Sequence, residues 1–164
     1  MAMPEVDPGE LLQRLYLRPG FLLRRAHQLS VGIFEEECRE IGLTPSQYGV
    51  LTVLDLAGAC DQSTVARALG FDRVTTMRVV RGLEARGLLR RAAAADLGRR
   101  RGLALTADGR RTLACGRVQA EHISRRLLSP LQVDEQAQLL RLLRKLCAGL
   151  EGAARTRVVP PGCG

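Results

Sequence analysis

The sequence of 164 residues has no tryptophan, and aromatic residues make up only 3% of it. It contains two histidines, His27 and His122, and an odd number of cysteines that are scattered along the chain. No His and Cys residues occur at metal-binding spacings, and an odd, scattered set of cysteines argues against a disulfide framework. We therefore expect no metal site and no cofactor, and free thiols favour a reducing cytoplasm.

Long apolar runs are also missing. No stretch approaches about 18 consecutive apolar residues, so the sequence predicts no transmembrane helix and no membrane partner. The acidic, proline-containing start, MAMPEVDPGE, is unlike a signal peptide. We find no glycine-rich phosphate loop, no GxSxG elbow and no paired His and carboxylate spacing. These absences predict a cytoplasmic protein that is not an enzyme and has no catalytic residues.

Positive charge, by contrast, is abundant. The formal net charge is +8, and arginine carries almost all of it because Lys145 is the only lysine. Nine arginines and three acids lie between residues 72 and 101, a local excess of six positive charges. Such a patch attracts a phosphate backbone whatever its sequence. An ordinary solvated basic surface is the alternative, but here the charge coincides with a recognisable motif.

That motif spans residues 61–106. Asp72 stands where its carboxylate can cap a helix, Gly70 is the turn before it, and Gly87 fits the glycine that follows a helix. Residues 102–106, GLALT, alternate as a half-buried strand does, and an arginine-rich loop precedes them. A helix-turn-helix followed by a basic hairpin is typical of a winged helix, which places one helix in the major groove of DNA.

The flanking segments are predicted to be helical. A short helix over about 9–17 and a long one from Pro19 to about Ile41 precede the motif, and Thr44-Pro45-Ser46-Gln47 predicts a capping box. Two more helices are expected from Ala107 to about Leu128 and from about Val133 to Leu150. The apolar arc of the last helix is too wide for one neighbour, which favours burial against a second copy over a monomer.

The predicted fold class is mainly α: a winged helix-turn-helix with a helical dimerisation region and a small antiparallel sheet of two or three strands. Residues 42–105 would form the DNA-binding region, and residues 1–41 and 106–151 the dimerisation region. Residues 152–164 lack periodicity and are expected to be a disordered tail. Two recognition helices related by a two-fold axis would bind a palindrome.

Several motifs together resemble the MarR family of dimeric winged-helix transcriptional regulators. They are GLTPSQYGVL (42–51), VARALGFDRVTTMRVVRGLEARGLLRR (65–91) and LALTADGRRTL (103–113). The resemblance covers about residues 19–150 and implies a homodimer that binds palindromic double-stranded DNA, most often as a repressor. The segment RRAHQLSVGIFEEEC (24–38) is similar to a subgroup that responds to small aromatic carboxylic acids such as hydroxybenzoates and hydroxynicotinate.

The resemblance implies which side chains meet DNA. Arg99 matches the arginine that the family places in the minor groove, although the family's Asp-Arg-Arg is Leu97-Gly98-Arg99 here. Val74 stands where the family carries a small polar residue and Thr76 where it carries an apolar one, so periodicity alone leaves Val74 and Met77 open to a core position. The predicted DNA-binding set is Arg73, Val74, Thr75, Met77, Arg78, Arg81, Arg99, Arg100 and Arg101.

An aromatic carboxylate needs a cation, a hydrogen-bonding group and an apolar wall. Residues on the first long helix and the next could supply them, with Asp72 and Arg73 transmitting binding to the recognition helix. The predicted ligand-binding set is Arg24, Arg25, His27, Gln28, Tyr48, Asp72 and Arg73. Alternatively, His27 is an ordinary interface histidine, and the arginines pair with Glu35–Glu37 or Asp55.

Two other functions compete with an aromatic-acid sensor. The first is a thiol-based, oxidation-sensing repressor of the same fold that uses Cys38, although the acidic neighbours of Cys38 would raise its pKa. The second is a helical adaptor that binds proteins rather than DNA. Affinity for duplex DNA that falls steeply with salt would exclude the adaptor.

Overall fold

The computed structural model describes residues 7–92 and 102–161. Within them lie seven α-helices, three short strands and a 3₁₀ turn, and the mainly α class is confirmed. The elements are α1 (Pro8–Tyr16), α2 (Pro19–Glu37), α3 (Pro45–Ala57), β1 (Cys60–Asp61), α4 (Gln62–Leu69), α5 (Arg73–Ala85), β2 (Leu89–Ala92), β3 (Gly102–Leu105), α6 (Ala107–Leu128), α7 (Val133–Leu150) and the 3₁₀ turn (Glu151–Ala153).

Most helix starts are set by local capping. The predicted box before α3 is present: the Gln47 amide donates to the Thr44 hydroxyl at 3.3 Å, and the Thr44 amide donates to the Gln47 side chain at 3.1 Å. The α2 helix ends at Glu37, earlier than the predicted Ile41. The chain turns there because the Gly42 amide bonds back to the Cys38 carbonyl at 2.8 Å, with Gly42 at a φ of 62° that favours glycine.

The three strands form one antiparallel sheet in the order β1-β3-β2. β2 pairs with β3 from Leu89 opposite Leu105 to Ala92 opposite Gly102. β1 adds a short edge through Cys60 opposite Leu103. Residues 93–101 join β2 to β3 and form the predicted wing, which lies outside the described residues.

The core joins the winged helix to the ends of the long helices. Its fully buried members come from α3, α4, α5, β3 and α6, which fixes these elements as one packed unit. They include Leu51, Val65, Leu83, Leu103 and Leu113. Phe34 and Cys38 near the end of α2 complete the same cluster.

The helices at the two ends of the chain are much less covered. None of the 18 residues of α7 is buried, although the helix carries a leucine-rich face. Large apolar side chains on α1, α2 and α7 stay at least one-third exposed, among them Leu11, Leu12, Leu22, Leu29, Leu140, Leu143 and Leu146. Exposed apolar area on this scale is typical of a surface that packs against another molecule. No helix in the described part is long and apolar enough to cross a membrane.

Residues 152–161, part of the segment expected to be a disordered tail, contact a distant helix in the structure. After the 3₁₀ turn this segment returns to α4, where the Val159 amide donates to the Arg67 carbonyl at 2.9 Å. The Thr156 hydroxyl donates to the Gly70 carbonyl at 2.5 Å. Periodicity did not reveal this order because the segment is held by hydrogen bonds to a distant helix end, not by an apolar face of its own.

Candidate nucleic-acid interface and ligand cleft

The α5 helix has one buried and one exposed face. Thr76, Val79, Val80 and Leu83 are buried against the core. On the other side Val74 is 69% exposed and Met77 is 36% exposed. The question left open by periodicity is thereby answered, because both side chains point away from the core. They share this face with exposed arginines and half-buried Thr75; the arginines are Arg73, Arg78 and Arg81.

Thr76 explains how a polar residue occupies a core position. Its side chain is completely buried, and its hydroxyl donates to the Asp72 carbonyl at 2.7 Å. A buried hydroxyl is tolerated when it has such a partner. The methyl group of Thr76 then packs with the core, while Val74 presents an apolar group outward. An outward methyl surface can contact the methyl group of thymine in a major groove.

Asp72 holds the start of α5. Its carboxylate accepts from the Thr75 amide at 2.7 Å. That hydrogen bond is the main reason that the pKa of Asp72 lies below its ordinary value, and a side-chain hydrogen bond with Thr75 lowers the pKa further. The geometry is that of a helix cap, which satisfies one of the free amides of the first turn. Asp72 therefore fixes where α5, and Arg73 with it, begins.

Arg86 ties the other end of α5 to the rest of the chain. Its guanidinium donates to the Gly42 carbonyl at 2.6 Å, to the Ile41 carbonyl at 2.9 Å and to the Gln47 side chain at 3.3 Å. A planar group with several fixed donors suits such a three-way contact. The α2–α3 loop and the capping box of α3 are thus connected directly to the helix that carries Val74 and Met77.

The wing residues of the predicted set, Arg99, Arg100 and Arg101, lie outside the described residues. The strand before them carries Arg90, which is exposed, and Arg91, whose guanidinium pairs with Glu84 at 2.6 Å. The described surface between α5 and the hairpin is accordingly basic.

A cleft of about 710 Å³ lies between α3 and α6. Tyr48 lines it from α3, and α6 contributes a face whose members recur at helical spacing: Arg117, Ala120, Glu121, Ser124 and Arg125. Gly116 brings α6 close to α3, because a Cβ there would lie 3.1 Å from the Tyr48 ring and 3.2 Å from Leu43. A phenol, a hydroxyl, two guanidinium groups and the Glu121 carboxylate therefore border one open depression.

The predicted ligand residues are only partly brought together. Of that set, Tyr48 alone lies among the described residues that line this cleft. The other members on α2 are exposed on the single chain: Arg24, Arg25, His27 and Gln28. Arg24 lies over the Phe21 ring at 4.9 Å from its centre. Asp72 and Arg73 belong to the start of α5 and are not on the cleft wall.

Arginines of α6, and not those of α2, pair with Asp55, Glu36 and Glu37. Arg117 contacts Asp55 at 2.5 Å, which anchors one cleft arginine to α3. Arg126 contacts Glu36 at 2.8 Å and Glu37 at 2.6 Å, which joins α6 to the end of α2. Exposed ion pairs contribute little stability each, so their main effect here is to fix orientation.

Sequence reasoning missed Arg125, Arg117 and Ser124 as cleft residues. Part of the signal was present, since these positions recur on one helix at spacings of three, four, seven and eight, but their proximity to Tyr48 depends on how two distant helices pack. Arg86 carried no such signal, because its partners lie more than 38 residues away along the chain.

The cysteines of the described chain are all free. Cys38 and Cys60 are buried, and burial is the main cause that raises the pKa of each thiol. The charge of Glu37 raises the pKa of Cys38 further. A thiol with a raised pKa is a poor nucleophile at neutral pH. The described residues also contain no group of three His, Cys, Asp or Glu side chains placed to hold a metal ion.

Comparisons with known proteins agree with this geometry. A family model described as MarR family matches residues 41–101. The chain is 32% identical to the HTH-type transcriptional repressor NicR of Pseudomonas putida, over 82% of this chain and 85% of that protein.

Solved structures give the same result. One is a probable transcriptional regulator from Pseudomonas aeruginosa, with 38% identity and a TM-score of 0.76 over 80% of this chain and 98% of that one. Another is Bordetella bronchiseptica BpsR, described as regulated in its DNA binding by 6-hydroxynicotinic acid, with 33% identity and a TM-score of 0.74 over 81% of this chain and 96% of that one.

Proposed function

The chain belongs to the MarR family of transcriptional regulators, and we propose that it is a homodimeric repressor that a small aromatic carboxylic acid releases from palindromic DNA. A regulator that binds chromosomal DNA in this way would act in the cytoplasm. We propose that residues 42–105 bind DNA and that residues 1–41 and 106–151 form the dimerisation region.

The exposed face of α5 is the observation that supports DNA binding. A capped helix presents Val74 and Met77 between arginines, on a scaffold whose core buries the opposite face. Arginine can pair with guanine through two hydrogen bonds, and the apolar groups can contact thymine methyls. We propose that the arginines of the wing, Arg99, Arg100 and Arg101, extend this surface into the minor groove or along the phosphates.

The uncovered face of α7 supports the homodimer. A helix of 18 residues with no buried member contributes little to the stability of a single chain. Exposed leucines on α1 and α2 extend the same kind of surface. Packing two copies through these helices would bury that area and set two α5 helices about one turn of DNA apart.

The cleft between α3 and α6 supports the effector. Arg125 has no ion pair within the described residues, so its guanidinium can donate to a carboxylate, while the Tyr48 hydroxyl can hydrogen-bond a ring substituent. The predicted α2 contacts, Arg24, Arg25, His27 and Gln28, are outside this wall. They can take part only if the second copy of the dimer brings its α2 to the cleft.

A thiol switch is less well supported. The buried Cys38, which that hypothesis uses, has a raised pKa and an acidic neighbour, and both properties lower its reactivity. No specific observation favours it over the aromatic acid.

A thermal-shift screen of hydroxybenzoates and hydroxynicotinates tests the effector, because a ligand that prefers the native state raises the melting temperature. The acid that shifts the melt should also release a bound duplex. Arg125→Gln should abolish both effects, whereas Arg111→Gln, on the same helix but outside the cleft wall, should leave them intact. If both variants respond like the wild type, Arg125 does not bind the carboxylate.

A further inference from the structure

The carboxyl end of α4 has carbonyl groups that its own helix cannot satisfy. Gly70 ends the helix in the left-handed conformation, with a φ of 64°. The Phe71 amide returns to the Ala66 carbonyl at 2.9 Å and the Gly70 amide to the Arg67 carbonyl at 3.4 Å. Such a motif covers only some of the carbonyls in the last turn. The Gly70 carbonyl and the second lone pair of the Arg67 carbonyl need donors from elsewhere.

Residues 154–161, which we call the C-terminal strap, supply those donors. The Thr156 hydroxyl donates to the Gly70 carbonyl, and the Val159 amide donates to the Arg67 carbonyl at 2.9 Å. A Cβ on Gly70 would lie 3.0 Å from a Val158 methyl, so the strap packs against the turn as closely as glycine permits. The turn between α4 and α5 is therefore covered by chain from the far end of the sequence.

The strap is also attached to α7. The Glu151 carboxylate, directly after α7, accepts from the Val158 amide at 2.6 Å. Glu151 also begins the 3₁₀ turn that leads out of the helix. Adjacent residues of the strap thus contact both Glu151 after α7 and the turn that precedes Asp72 and α5.

We propose that the C-terminal strap positions the recognition helix by fixing the α4–α5 turn relative to α7, so that Thr156 is a positioning residue for DNA binding. The strap restricts the angle at which α5 leaves the turn, and a recognition helix held in its binding orientation binds DNA more tightly than one that must be ordered on contact. This inference needs DNA binding but not the effector.

The strap carries Arg155 and Arg157, which are exposed, so its removal would also remove positive charge. Direct phosphate contact by these arginines is the competing explanation. The two differ in the residues on which they depend, because the positioning role needs the Thr156 hydroxyl and the electrostatic role needs the guanidinium groups.

The test measures affinity for a duplex selected from a randomised library. Thr156→Val, which keeps shape and charge, should weaken binding about three- to tenfold, the range expected for loss of one hydrogen bond. Thr156→Ser should restore it, and hydrogen exchange at the Gly70 and Phe71 amides should accelerate in Thr156→Val but not in Thr156→Ser. Arg155→Gln/Arg157→Gln should retain the slow exchange and cost less affinity than a chain ending at Ala153.

Wild-type affinity and exchange in Thr156→Val would overturn the proposal, even if the shortened chain fails to fold. It is equally overturned if Arg155→Gln/Arg157→Gln reproduces the whole loss caused by truncation. Light scattering on each variant checks that the number of chains per particle is unchanged, so a failure of dimerisation is not mistaken for a failure of the strap.

Discussion

Asp72 shows how one side chain links pH to the stability of the recognition helix. Its pKa is lower in the folded chain, first because of the Thr75 amide, than the ordinary Asp value of about 3.9. The carboxylate therefore contributes stability above that ordinary value, and the contribution is lost as the pH falls through the lower, folded pKa. The recognition helix should be the acid-sensitive part of the winged helix.

We expect the melting temperature of Asp72→Ala to lie below that of the wild type at neutral pH. This difference in melting temperature should become smaller as the pH falls into the acid range. Thermal melts at a series of pH values provide the measurement. Asp72→Asn keeps a hydrogen-bond acceptor but has no titrating group, so the difference in melting temperature between Asp72→Asn and Asp72→Ala should not depend on pH. If the difference in melting temperature between the wild type and Asp72→Ala stays constant into the acid range, the charge of Asp72 contributes nothing to stability.

Single residues also set the limits of sequence prediction here. Periodicity alone leaves Val74 open to a core position, and Thr76 stands where the family carries an apolar residue. The structure separates them by a hydrogen bond, from the Thr76 hydroxyl to the Asp72 carbonyl, which no pattern of apolar residues encodes. The outward placement of Val74 and Met77 agrees with the family resemblance, whereas the cleft arginines on α6 were overlooked.

At the scale of whole elements, the close approach of α6 to Leu88, the residue before β2, depends on Gly109. A Cβ at this position would overlap the Leu88 carbonyl oxygen and lie 3.1 Å from the Leu88 carbonyl carbon. Backbone atoms cannot move aside as a flexible side chain can, so the junction between winged helix and long helix requires glycine.

Gly109→Ala should lower the free energy of unfolding by at least about 1–3 kcal/mol, the usual cost of overpacking. Denaturant titration measures it. Gly32→Ala, inside α2 with nothing within 4 Å in the chain itself, is the matched control and should be neutral or stabilising. Equal effects of the two substitutions would mean that the overlap at Gly109 is relieved at no cost.

Arg86 connects elements that the sequence could not place together. We expect Arg86→Met, which keeps most of the aliphatic stem, to lower the free energy of unfolding by about 1 kcal/mol because it removes three exposed hydrogen bonds. DNA affinity should fall with it, since α5 loses its tie to the α2–α3 loop. Arg39→Met, in that loop and without an ion pair in the described chain, should change neither quantity.

Element boundaries were predictable where a local signal sets them. The predicted caps at Thr44 and Asp72 both form, because each involves residues within one helical turn. The early end of α2 and the docking of the C-terminal strap were not predictable, since both depend on how distant segments pack. The same limit applies to the cleft, whose two walls are 60 to 80 positions apart.

For the molecule as a whole, a basic surface, an uncovered helical face and a cleft lie on one scaffold. Two copies packed through α1, α2 and α7 would present two α5 faces, and a ligand between α3 and α6 would alter how those faces are held. Arg86 and the C-terminal strap are the two described connections that hold α5 at its ends. A change at the cleft can be transmitted to α5 through Arg86, because Arg86 contacts Gln47, which lies on the same helix as Tyr48.

The most direct test is a titration of a selected palindromic duplex with the full chain at several salt concentrations, with stoichiometry read from the equivalence point. We expect two chains per duplex and an affinity that falls about a thousandfold between about 50 and 200 mM salt, as expected for six or more phosphate contacts. One chain per duplex, or an affinity that does not change with salt, would contradict it.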